Sequence, residues 1–182
     1  NSDAQIRDHS RFDDMAGVME YVLASFAQHA PSDTRIVIKN HPLDMGLVNY
    51  PRIIAELARR FDLAGRIDYL ESGDLVSLIQ RARAVVTVNS TVGSLSVGLG
   101  CPTIALGDAI YNLPGLIFQG ALDDFWCDGE KPNAELFRRF RNTVIHTTQV
   151  NGGFYTRQAI SMAVASCQRM LVEDRSPLEE LL

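Results

Sequence analysis

The sequence predicts an α/β fold, a parallel sheet covered by helices on both faces, and three observations carry that expectation. Helix-like and strand-like segments alternate from residue 13 to residue 107. One strand-like run, Ala84-Val85-Val86-Thr87-Val88, is nearly all apolar, as a strand covered on both faces should be. The 182 residues are 46% apolar and 21% charged, an ordinary globular mixture, and a chain of that length can bury a core without disulfides.

Each element has its own signal. Between Asp13 and Ala30, apolar side chains fall at Met15, Val18, Met19, Val22, Leu23 and Phe26, the stripe of an amphipathic helix, with Asp13 or Asp14 at its start. Pro31-Ser32-Asp33 ends it, and Arg35-Ile36-Val37-Ile38-Lys39 reads as a strand. Pro51 suits the first turn of a second helix, running to Phe61 with Ile53, Ile54, Leu57 and Ala58 inward. Arg66–Leu70 is the next strand, Ser72-Gly73-Asp74 a turn and helix cap, and a helix with Leu75, Leu78 and Ile79 follows to Ala82. The apolar strand 84–88, a small-residue helix over 91–99 and a strand over 102–106 complete the series. Alternation of this kind implies parallel strands with right-handed crossovers, a Rossmann-like three-layer arrangement.

Later segments follow a looser pattern. Residues 108–132 read as a long loop with one short strand, carrying Tyr111, Phe118, Phe125 and Trp126. Asn133 can cap a helix to Thr147, with Leu136, Phe137, Phe140, Val144 and Ile145 inward, and Arg138, Arg139 and Arg141 read as a solvated helix face with Glu135 offering a partner. Asn151-Gly152-Gly153 breaks the chain before a last helix from Thr156 to Val172. The expected organisation is one domain over 1–182: an opening segment 1–12, an αβ core 13–107, the loop 108–132, helices over 133–172 and an acidic tail 173–182. The chain begins without methionine, so it is expected to be part of a longer protein.

Charge and cysteines exclude several function classes. With 17 basic against 22 acidic residues the net charge is −5, which argues against broad nucleic-acid binding, since that needs a cationic face. Cys101, Cys127 and Cys167 form no CxxC pair and read as buried reduced thiols in a cytosolic protein. Their spacing to histidines suggests no metal site, and neither a dinucleotide fingerprint nor a P-loop is present.

In an open parallel sheet, ligands bind beyond the carboxyl ends of the strands. Two polar motifs are expected there. Lys39-Asn40-His41-Pro42 follows the first strand, and Asn89-Ser90-Thr91-Val92-Gly93 follows the third while opening a helix. The second has the make-up of an anion cradle, hydroxyl residues before a helix N-terminus whose N–H groups and dipole favour phosphate. Gly93 would let a ligand or neighbouring backbone come close. Each motif also has a plainer explanation, because Asn-Ser-Thr before a helix is an ordinary cap and His-Pro a common loop dipeptide. Their joint placement at strand ends sets the functional reading level with the plainer one. Asp3, in the polar opening segment, reads either as an exposed terminal acid or as a ligand-side carboxylate.

The motifs Asp3-x-Gln5-Ile6 with His9-Ser10, Ile38–Gly46, Val88–Gly93, Leu106-Gly107-x-Ala109-Ile110-Tyr111, Phe125-Trp126 and Gln149–Tyr155 together resemble the capsule polysaccharide biosynthesis/export family. The likeness is nearest to the single-module branch that starts the lipid-linked Kdo linker. It implies the C-terminal, donor-binding half of a GT-B-like glycosyltransferase: a retaining β-Kdo transferase using CMP-β-Kdo, with no separate cofactor and no metal. It assigns Lys39, His41 and Pro42 to the CMP side, Asn89, Ser90, Thr91 and Gly93 to its phosphate, and a catalytic role to Asp3 and His41. A lipid or growing Kdo-chain acceptor would be held by an N-terminal half outside this chain. The implied location is cytoplasmic, with peripheral association at the inner face of the bacterial inner membrane. Two alternatives stand beside this expectation: a UDP-sugar-using GT-B or epimerase-like domain, and a non-catalytic capsule export or scaffold module.

Overall fold

A computed structural model describes residues 4–41 and 46–181. Two compact units are present, Asn1–Asn133 and Ala134–Leu182.

The first unit is organised around one helix. α1 (Ala4–His9) precedes α2 (Met15–His29), whose start is capped by the Asp14 carboxylate accepting from the Gly17 N–H at 2.9 Å. Pro31 follows, and the Ala30 N–H closes the last turn on the Phe26 carbonyl. α2 has two apolar faces. Met19, Leu23 and Phe26 pack with Tyr50, Ile54, Leu57 and Leu63, while Val18 and Val22 pack with Ile6, Ile104, Leu122 and Phe125. Leu23 and Phe26 are almost fully buried, and each such burial stabilises by roughly 1.5–3 kcal/mol.

Beneath α2 lie two parallel βαβ units. β1 (Ile36–Lys39) pairs with β2 (Ile67–Leu70) in the register Ile36 to Ile67, and α3 (Tyr50–Arg60) crosses between them. Asn49 caps α3 by accepting from the Arg52 N–H at 3.0 Å, and Pro51 sits in its first turn, where its missing N–H is not needed. β3 (Val85–Thr87) pairs with β4 (Thr103–Ala105), with α5 (Thr91–Gly98) as the crossover. α4 (Leu75–Arg81), capped by Asp74 on the Val76 and Ser77 N–H groups, links the two units. The result is a mixed α/β structure with small parallel sheets, compatible with a Rossmann-like fold.

Three expectations need correction. The pattern predicts a single sheet, yet among the described residues the strands form two two-stranded sheets, β1 with β2 and β3 with β4. Strands of three or four residues carry few ladder bonds, and Ile36 instead packs its side chain against both hydrophobic clusters. The segment 108–132 is not all loop, because α6 (Leu122–Asp128) lies within it. Ala121 offers α6 no side-chain cap, so its start is unmarked; buried Leu122 and Phe125, and Trp126 donating its indole N–H to the Ser25 hydroxyl at 2.8 Å, hold it on α2. Ser25 in turn donates to Asp123 at 2.5 Å. The opening segment contains α1, in which Ile6 is buried and stands among polar residues, so the sequence offers no periodicity to read.

The second unit contains α7 (Ala134–Thr147) and α8 (Arg157–Val172). Between them, Asn151 donates its side-chain amide to the Ile145 carbonyl at 2.8 Å and its backbone N–H to Ser166 at 3.2 Å. A side chain at Gly152 would start 2.3 Å from the Ala163 nitrogen, which explains the glycine. Glu135 bridges Arg138 and Arg139, first of all through its hydrogen bonds to Arg138, and its pKa is held at about 2. The face expected to turn inward on α7 is shallower than its pattern suggested: Leu136 is 36% exposed, and Phe137, Phe140, Val144 and Ile145 are half-buried. Periodicity marks a face without fixing its depth. No helix among the described residues is long and apolar enough to cross a membrane.

Candidate functional site

At the end of β1, the Asn40 N–H extends the ladder by one bond to the Leu70 carbonyl at 2.8 Å. Lys39, half-buried, donates its ammonium to the Asn40 carbonyl at 3.2 Å, and the Asn40 side-chain oxygen accepts the His41 N–H at 2.9 Å. His41 itself is exposed. Lys39 and His41 thus stand at the carboxyl end of β1, as expected. Pro42 and Asp3 lie outside the described residues.

At the end of β3 the chain turns directly into α5. Ser90 is the cap: its hydroxyl accepts the Val92 N–H at 3.2 Å and its carbonyl accepts the Gly93 N–H at 2.9 Å. Asn89 and Ser90 are half-buried, Thr91 is exposed and Gly93 is buried. The ordinary cap is therefore present, and it engages two of the helix's first N–H groups. Thr91 and the outer side of the Ser90 turn remain the solvent-facing part of the motif.

Gly93 has a reason that sequence alone did not show. A Cβ there would start 2.2 Å from the Tyr111 hydroxyl oxygen and 2.5 Å from the ring, so the space is taken by a side chain rather than by a ligand or backbone. Tyr111 is 2% exposed, and its hydroxyl donates to the Ser90 carbonyl. Burial pushes its pKa up to about 12, against a smaller opposing effect of a hydrogen bond from Thr87.

A third segment reaches the same edge. Gly107, just past β4, donates to the Val88 carbonyl at 3.0 Å and bridges to Ser10, while the Asp108 N–H donates to the His9 carbonyl at 2.8 Å. A Cβ on Gly107 would start 2.5 Å from that His9 oxygen and 3.0 Å from Val88. Asn89–Gly93, Gly107–Tyr111 and His9–Ser10 are thus brought together, whereas Lys39 and His41 end a strand of the other sheet. The sequence pattern marks no site role for Gly107 or Tyr111; the glycine directly after a strand, where backbones crowd, is the available signal. Among the described residues no group of three or more His, Cys, Asp or Glu side chains could hold a metal.

Fold and site define an α/β protein with parallel βαβ units and polar turns at the carboxyl ends of its strands, the place where such folds receive ligands. Comparison with known proteins narrows this. Residues 1–155 match the family described as capsule polysaccharide biosynthesis protein, and the chain belongs to that family. It is similar to the capsule polysaccharide export protein KpsS of Escherichia coli, 38% identical over 154 residues that cover 85% of this chain and 40% of that protein. The capsule polysaccharide modification protein LipB of Neisseria meningitidis serogroup A is 37% identical over 157 residues, 86% of this chain and 38% of LipB. Protein FixF of Sinorhizobium fredii is more distant, 28% identical over 189 residues and 44% of its own length. The chain therefore spans less than half the length of these relatives. No solved structure matches it.

Proposed function

We propose that this chain is the donor-binding part of a retaining β-Kdo transferase that takes Kdo from CMP-β-Kdo during assembly of a capsule's lipid linker. The supporting observation is that the family match spans both polar motifs, and each motif stands at the carboxyl end of a parallel strand. CMP departs as a phosphomonoester when the bond from its phosphate oxygen to the anomeric carbon breaks, so negative charge grows on the phosphate. Hydrogen-bond donors fixed where charge develops lower the barrier. The Ser90–Thr91 turn at the start of α5, with the helix dipole behind it, meets that need from one side, and Lys39 with His41 from the other. Retention requires a carboxylate nucleophile or front-face attack, and Asp3 is the candidate carboxylate. A GT-B-like partner half would hold the acceptor, a lipid or Kdo chain, at the inner face of the inner membrane.

Titration of the chain with CMP and UDP, followed by NMR, tests this. CMP is expected to shift resonances around Lys39–His41 and Asn89–Gly93, and to displace any bound UDP. His41→Ala and Ser90→Ala should each weaken CMP; equal affinity in wild type and both variants removes the proposal. The word "export" in the KpsS name favours one other reading, a module that handles finished polysaccharide without catalysis. That reading expects neither nucleotide to bind.

A further inference from the structure

The motif Leu106–Tyr111 has no assigned role in the chemistry above, yet its tyrosine is built into the turn that chemistry would use. We propose that Tyr111 is a positioning residue that fixes the N-terminal turn of α5, and so the atoms of Ser90 and Thr91 that would face the donor phosphate. The ligand part of this proposal rests on the CMP reading.

Three observations carry it. The Tyr111 hydroxyl donates to the carbonyl of Ser90, the residue whose own hydroxyl and carbonyl already gather the Val92 and Gly93 N–H groups. The ring fills the volume beside Gly93 that any other residue's Cβ would occupy, with would-be contacts of 2.2, 2.5 and 2.6 Å. Tyr111 is itself 2% exposed, so packing as well as the bond to Ser90 holds the phenol against the turn. A phenol keeps its proton at any physiological pH, and burial, which pushes this one up to about 12, extends that range into alkali. Gly107 anchors the other end of the motif through the Val88 carbonyl and the Ser10 bridge. A preorganised turn loses less freedom when an anion arrives than one that must be ordered by it.

Tyr111→Phe tests this without emptying the space beside Gly93. Hydrogen exchange at the Val92 and Gly93 amides is expected to quicken about five-fold, the equivalent of one ordinary hydrogen bond, while the Leu23 amide in α2 is unchanged. CMP affinity, measured on the same samples, should fall by a similar factor. Gly93→Ala, which displaces the ring sterically, should quicken the same amides. Unchanged exchange in Tyr111→Phe overturns the proposal outright. Faster exchange with unaltered CMP affinity overturns the positioning role, because a merely structural bond would behave that way. If wild-type protein binds no CMP, the donor reading fails by itself, and the exchange measurement still decides whether Tyr111 holds the turn.

Discussion

The two strand ends that carry polar motifs are held very differently. Beyond β3, the Ser90 turn is fixed by its own cap bonds, by the Tyr111 hydroxyl and by a ring seated in the space that Gly93 leaves. Beyond β1, the Asn40 N–H continues the ladder to Leu70, Lys39 and His41 bond to Asn40, and His41 is exposed. One end is set before any ligand arrives; the other presents side chains to solvent. Substitutions should therefore cost stability as well as affinity at the first, and affinity with little stability at the second.

The largest expected effect is at Gly107. A methyl there meets backbone, the His9 carbonyl at 2.5 Å, so Gly107→Ala should cost about 2–3 kcal/mol in urea unfolding. A cost below about 0.5 kcal/mol, the level of an ordinary surface change, would show that the opening segment is not held against this edge.

High pH sharpens the comparison next. The folded pKa of Tyr111 lies near 12 and the ordinary value is 10. Between those values the unfolded chain has lost the proton and the folded one retains it, so stability is fully present below pH 10 and falls as pH rises toward 12. The loss is of order 2 kcal/mol, and Tyr111→Phe should flatten this alkaline limb in thermal melts at a series of pH values. An equal limb in the variant would assign the effect to another group.

Smaller effects separate the ends directly. Ser90→Ala removes a helix cap and should cost about 1 kcal/mol. His41→Ala should change stability by less than about 0.5 kcal/mol while weakening CMP. Should His41→Ala destabilise by more than Ser90→Ala, the contrast between the two ends would be broken.

Much of this fold was legible in the chain. Asp14 and Asp74 cap α2 and α4, Pro51 sits in the first turn of α3, and the strand runs at 35–39, 66–70, 84–88 and 102–106 contain β1 to β4. Carboxylate caps and β-branched runs act over a few residues, so local sequence reveals them. α6 was missed because it has no cap and is held by Phe125 and Trp126 against a helix far away in the chain. Ile6 stands among Gln5, Arg7, Asp8 and His9, so no apolar stripe marks α1. The two polar turns are legible from their place after strands, whereas the contacts that hold them are not.

The order of elements, the apolar faces, the caps and the identity of the polar turns followed from the amino-acid sequence, because they depend on periodicity and on neighbours within one or two helical turns. Tertiary structure alone decided that Gly93 makes room for Tyr111, that Gly107 receives the backbone of His9, and that the strands pair as two sheets. Those outcomes depend on which surfaces meet across long stretches of chain, and a glycine reads the same whether a ligand, a backbone or a tyrosine fills the space beside it.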